Sequence, residues 1–233
     1  VMANPIVYNV QRVAQPYKLA NRMFHPEDTI VDVNGIKIGG KKIAMIAGPC
    51  SVEGEDQICR IAKEVKQAGA DMLNDIWGFL YDEKMAELAV RYDVPVCLMH
   101  NRNNTEYQDF VPDVVADLKK CLAVAEKYGV KKENIMLDPG VGFGKTYEQN
   151  LAIINHLEVL CDMGYPVLLA TSRKSVIGLT LDLPVTEREE GTIATSVIGA
   201  MKGCDFVRVH DVQANARALR MTEAIMYGKE KEE

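Results

Sequence analysis

The sequence predicts an α/β protein: a (β/α) barrel of the TIM type with about six recognisable strand–helix units and an N-terminal β-hairpin. Three observations predict it. Short apolar runs alternate with longer amphipathic ones, and strand then helix in repetition implies parallel strands joined by right-handed crossovers. A polar cluster closes nearly every apolar run: Cys50, Asn74-Asp75, His100-Asn101, Asp138, Ser172-Arg173-Lys174 and Arg208-His210. Such a ring suits the catalytic face of a barrel, whereas an open sheet gathers its chemistry at one switch point. The length of 233 residues also suits a barrel folded as one domain, which runs to roughly 200–250 residues.

The elements follow in order. Residues 1–40 form a lead-in and a hairpin, with Asn34-Gly35 as the turn between two β-branched runs. Residues 41–233 form the barrel domain. Its strands are expected at Ile43–Gly48, Met72–Ile76, Val94–Met99, Ile135–Leu137, Pro166–Ala170 and Asp205–His210. Its helices are expected at Glu53–Ala70, Glu83–Tyr92, Val111–Tyr128, Tyr147–Met163, about Thr192–Lys202 and Asn215–Tyr227. The first has Ile58, Ile61, Ala62 and Val65 on one face, and the third stops at Gly129. A standard barrel has eight units, so this count is short, and a hairpin can plug a barrel base without supplying the missing two.

Composition narrows the function. The net charge of −6 excludes a general affinity for nucleic-acid phosphates, which wants a basic face. No apolar run reaches the roughly 18 residues of a membrane span, and no basic-then-apolar leader is visible. The six cysteines form no CxxC pair, and their scatter through apolar runs suggests reduced thiols in the cytoplasm.

The most informative stretch is Asp138-Pro-Gly-Val-Gly-Phe-Gly-Lys-Thr146. A carboxylate at a strand end can accept hydrogen bonds from a flat heterocycle, while glycines let the ring approach the backbone. A Walker A loop ending here needs glycine where Pro139 stands, and a dinucleotide fingerprint from Gly140 needs glycine where Lys145 stands, so both fail. The plain alternative is a tight turn capped by an acid. Thr171-Ser-Arg-Lys-Ser175 offers cations and hydroxyls for an anionic ligand, or a solvated basic turn. Alternation puts Arg208 and His210 on one strand face, where they suit a phosphate. Asn74 can donate and accept at a ring edge, though Asn74-Asp75 also suits a turn. Met99 suits the face of a flat ring or a core. Cys50 after the first strand suits a metal ligand or a structural thiol.

Asn74-Asp-Ile-Trp-Gly78, Leu98-Met-His-Asn-Arg102, Leu137-Asp-Pro-Gly-Val-Gly-Phe-Gly-Lys-Thr146, Thr171-Ser-Arg-Lys-Ser175, Glu189-Glu-Gly-Thr192 and Val207-Arg-Val-His-Asp211 together resemble dihydropteroate synthase, in that family's order and spacing. The likeness runs from about Met72 to Tyr227. It implies a transferase of folate biosynthesis that joins 6-hydroxymethyl-7,8-dihydropterin diphosphate to para-aminobenzoate, with magnesium, and releases pyrophosphate. By that likeness Asn74 and Asp138 would hold the pterin, and Asp138 would stabilise charge as diphosphate leaves. Lys174 would contact the pterin and border the aminobenzoate. Arg208 and His210 would bind diphosphate, and Phe143 and Met99 would line the pocket.

Ahead of this, Pro16-Tyr-Lys-Leu-Ala-Asn-Arg-Met-Phe-His-Pro-Glu-Asp-Thr29 and Ile46-Ala-Gly-Pro-Cys-Ser-Val-Glu-Gly54 resemble a 3-deoxy-arabino-heptulosonate 7-phosphate synthase. That likeness, from about Arg12 to Ala70, implies Cys50 as a metal ligand, but that family's other ligands have no counterpart here. Nor does the chain carry the Asn-Val-Thr-Pro-Asp-Ser loop by which dihydropteroate synthases hold magnesium and diphosphate, their loop over aminobenzoate, or their third-strand Asp. The chain thus reads as a mosaic joined near residues 71–74. The readings left are the transferase, a non-catalytic pterin or anion binder, and a heptulosonate phosphate synthase. An uncovered strand edge would favour a homodimer.

Overall fold

The computed structural model describes residues 72–228 in full and the backbone of three short strands before them. Those strands are β1 (Val31–Val33), β2 (Ile36–Ile38) and β3 (Ala44–Ile46). The rest follow as β4 (Leu73–Asp75), α1 (Lys84–Tyr92), β5 (Val96–Met99), α2 (Phe110–Tyr128), β6 (Ile135–Asp138), α3 (Tyr147–Asn155), α4 (Glu158–Cys161), β7 (Leu168–Leu169), α5 (Ser175–Leu181), α6 (Glu189–Met201), β8 (Phe206–Arg208) and α7 (Val212–Tyr227). The expected hairpin is present: β1 and β2 pair antiparallel with Val33 opposite Ile36. The expected helix at 53–70 lies outside the described residues, as do Cys50 and the junction's Asp71.

All the remaining strand pairs are parallel, as the strand–helix rhythm requires. One group runs β4-β5-β6 and the other β7-β8-β3, and a single bridge from Leu137 to Val167 links them. The order is therefore β4-β5-β6-β7-β8-β3, with the last strand returning to the first parallel one.

Two expectations need correction. The helix expected at Tyr147–Met163 is interrupted: at His156 the backbone leaves helical geometry (φ −118°, ψ 30°), and α4 follows as a separate turn. Asn155 and His156 are both weak helix formers, so the ladder breaks where propensity is lowest. The helix α5 was not expected at all. It contains Gly178, and a Cβ there would lie 2.2 Å from the Arg188 guanidinium, so tertiary packing overrides a poor local propensity.

The core is built on the outer faces of the strands. Val96, Leu98, Ile135, Leu137, Val167 and Leu169 are buried against Val114 and Leu118 of α2 and Ile153 of α3. No described helix is long and apolar enough to cross a membrane.

Candidate functional site at the strand ends

The other strand faces carry a smaller cluster: Cys97, Met136, Leu168 and Phe206, with Met72 packed on it. Side chains alternate along a strand, so moving two residues toward each C-terminus keeps the same face. From Met72, Cys97, Met136 and Phe206 that step reaches Asn74, Met99, Asp138 and Arg208. Register agrees, for Met99 is opposite Asp138 and Asn74 is opposite Cys97. Four of the sequence-selected residues thus share the face above this inner cluster.

Asp138 is 3% exposed, and its Oδ1 accepts the Gly140 N–H at 2.7 Å. Burial pushes its carboxyl above the ordinary range, while the charges of Lys174, Arg208 and Lys145 pull it down. Those cations keep the carboxylate form accessible in a dry site. Met99 is buried beside it. Lys174, at the start of α5, donates to the Val141 carbonyl and lies with Nζ 4.9 Å from the Phe143 ring centroid. Asn74 is exposed at the far end of the strand order and makes no hydrogen bond to Asp138 or Lys174.

Arg208 is half-buried, and among the described residues its guanidinium makes no hydrogen bond, although its charge reaches Asp138 and Cys97. His210 is exposed; its Nδ1 is 2.8 Å from Ser172 Oγ, and its backbone N–H donates to the same hydroxyl at 3.1 Å. Arg173, at φ 57°, turns outward to pair with Asp211 at 2.6 Å. Of the Ser172-Arg173-Lys174 cations, only Lys174 is linked to the Asp138 loop.

Two glycines of the 138–146 turn are required by the fold itself. Gly140 (φ 67°) would place a Cβ 1.9 Å from the His100 carbonyl oxygen, and Gly144 (φ 53°) would place one 2.6 Å from that of Arg102. The close approach at these two positions is by the backbone after β5. Asp75 likewise serves its turn, since its two carboxylate oxygens accept from the Trp77 and Phe79 N–H groups.

Beneath this turn lies a group that sequence reasoning missed. Lys145 is 9% exposed, and its Nζ meets His100 Nδ1 at 2.8 Å and the carbonyls of Gly140 and Phe143 at 3.0 Å each. His100 Nε2 lies 3.3 Å from Asp117 Oδ2, which also accepts from Arg102 Nε at 2.6 Å. Burial and the Lys145 charge hold His100 down at about 3. Burial raises Asp117, but bonds from Arg102 and Lys120 outweigh it and bring the carboxyl to about 2. A signal existed: Asp117 interrupts the apolar helical stripe of Val114, Leu118 and Cys121, and a buried acid needs a partner.

A family model described as a pterin binding enzyme matches residues 57–210. The chain belongs to the pterin binding enzymes. The match begins inside the stretch that resembles the heptulosonate synthase. A dihydropteroate synthase of Clostridium beijerinckii is 60% identical over 168 residues, 72% of this chain and 62% of that protein. This pterin binding enzyme therefore spans less than two thirds of that relative's length. Among solved structures, a dihydropteroate synthase of Clostridium difficile determined in the presence of pteroic acid has a TM-score of 0.71 at 39% identity, covering 81% of this chain and 84% of that one. The Thermus thermophilus dihydropteroate synthase in complex with 6HMPPP has a TM-score of 0.66 at 38% identity, covering 71% and 66%.

Proposed function

We propose that this pterin binding enzyme is a dihydropteroate synthase, joining 6-hydroxymethyl-7,8-dihydropterin diphosphate to para-aminobenzoate with release of pyrophosphate. The observation that carries this reading is Asp138: a buried carboxylate above the inner cluster, with Met99 opposite it and cations bearing on it. In this reading Asp138 and Asn74 hold the pterin. Asp138 also offsets positive charge on the pterin methylene as diphosphate departs. Arg208, with no competing hydrogen bond among the described residues, and His210 receive the diphosphate. Lys174 contacts the pterin and borders the aminobenzoate, and Phe143 and Met99 line the pterin pocket. The six parallel strands belong to a barrel, an arrangement supported by the return of β8 to β3. The free thiols of Cys97, Cys121, Cys161 and Cys204 support a cytoplasmic setting.

The described residues do not by themselves make a magnesium site, for no three His, Cys, Asp or Glu side chains converge among them. The same observation leaves a heptulosonate phosphate synthase without a metal cage among the described residues.

The test is pyrophosphate release from the two substrates. Asp138→Asn is expected to lower turnover about 10²–10³-fold, the usual cost of one preorganised electrostatic contact. A second reading is pterin binding without turnover. Calorimetry with the pterin diphosphate separates the two. Binding without pyrophosphate release selects the second, and equal affinity of wild type and Asp138→Ala rejects the pocket altogether.

A further inference from the structure

The glycine-rich turn is wrapped around a cation of its own. An ammonium has three N–H donors. Lys145 Nζ has three acceptors within reach: His100 Nδ1 at 2.8 Å, Gly140 O at 3.0 Å and Phe143 O at 3.0 Å. Two of them are carbonyls of the turn itself, one beside Pro139 and the other on the residue that faces Lys174. The third ties the turn to the strand next door. With Nδ1 accepting, the imidazole proton sits on Nε2 and points at Asp117, which Arg102 of the loop after β5 and Lys120 of α2 hold. Tyr107 closes the other side, donating to the Gly144 carbonyl at 2.6 Å.

We infer that Lys145 is a positioning residue: its buried ammonium is the internal cation around which the 139–144 turn folds, and it sets where Asp138 and Phe143 stand. The substrate consequence rests on the proposed synthase reading; the loop consequence does not. Lys145 carries this role by hydrogen bonding rather than by volume; burial lowers its ammonium to about 7 against the pull of Asp138, so the experiment is run at pH 6, where the three-donor form prevails. The turn's other anchors are the Gly142 N–H to Asn150 Oδ1 at 2.6 Å, the Gly140 N–H to Asp138 at 2.7 Å, the Phe143 N–H to Gly140 O at 3.0 Å, and the bonds of Lys174 to Val141 O and Tyr107 to Gly144 O, and none of these reaches the Phe143 carbonyl or His100 Nδ1. Removing the ammonium leaves the Phe143 carbonyl and His100 Nδ1 without their donor and the Gly140 carbonyl with the Phe143 N–H alone, a cost that the turn relieves by opening to water.

The experiment uses the full chain carrying Lys145→Ala, with amide hydrogen exchange of residues 139–146 read in the absence of ligand. Exchange is expected to speed up at least tenfold in this turn and not in β5 or α2. Adding methylammonium, which fits the vacated volume and supplies three donors, is expected to restore protection, while tetramethylammonium, with no N–H, is expected not to. In parallel, pteroic acid affinity should weaken about tenfold and recover with methylammonium only. Should the alanine variant not fold, Lys145→Met fills the volume without a donor and must show the same loss, now without rescue. Unchanged exchange in the turn, or equal rescue by both amines, overturns the inference. Failure of wild type to bind pteroic acid while the exchange results hold overturns the synthase reading alone.

Discussion

At the scale of single residues, His100 and Gly140 show how the site is held. His100 is 1% exposed and held down at about 3 by burial and by Lys145, against its ordinary 6.5. The unfolded chain therefore binds a proton near pH 6.5 that the folded chain refuses until about pH 3. Stability is full above the higher value and is lost as the pH falls between the two. Thermal unfolding from pH 7 to pH 4 should show this slope, and His100→Gln should flatten it; an unchanged slope would mean that the imidazole is protonated in the fold. Gly140 makes a second prediction. Alanine there meets both a positive φ and the His100 carbonyl at 1.9 Å, so Gly140→Ala should destabilise by about 3 kcal/mol or more, read from urea unfolding. Both glycines were conspicuous in the sequence, but their reason was not. Nothing local in Asp138–Thr146 reveals that the backbone of residues 100–102 lies against it.

At the scale of elements, most strands and helices follow from apolar periodicity. The start of α3 is also legible: Thr146 accepts from the Gln149 N–H, while the Gln149 side chain accepts from the Thr146 N–H at 2.8 Å. This capping box sits directly after Lys145, so it fixes the far end of the glycine turn. Thr146→Ala should cost about 1 kcal/mol of stability, measurable by denaturant unfolding without change in the denaturant slope. Where the local reading missed α5, a side chain beyond the helix intervened. The helix α5 forms although Gly178 weakens it, because Arg188 fills that space and donates to the carbonyls of Leu183 at 3.0 Å and Arg173 at 2.9 Å. Arg188 thereby also steadies the turn that presents Lys174.

At the scale of the molecule, the parallel order β4-β5-β6-β7-β8-β3 gathers residues that are 134 positions apart in the chain, from Asn74 to Arg208, onto one face. If that face takes a pterin, pteroic acid must stabilise the fold by mass action. At about 100 times its Kd, the gain should be about 2.7 kcal/mol, seen as a rise in Tm that Asp138→Ala abolishes. Exposed Met201 on α6 and Met221 and Ile225 on α7 support the homodimer reading, since large apolar side chains in contact with water favour association. Light scattering should return twice the chain mass; a monomer at micromolar concentration would reject it.

The sequence by itself determined the α/β rhythm and the strand-end positions of Asn74, Met99, Asp138 and Arg208. These are consequences of local period and of a two-residue repeat, both of which are written along the chain. Only the tertiary structure decided that Lys145, His100 and Asp117 form one buried network, that Gly140 and Gly144 yield to a neighbouring backbone, and that α5 exists. The first two depend on partners far away in sequence, brought close by parallel pairing of β5 with β6 and by helices packed on their outer face, while α5 depends on Arg188 beyond its own end. A buried charge is specified by the groups that surround it, and those groups meet only when the chain has folded.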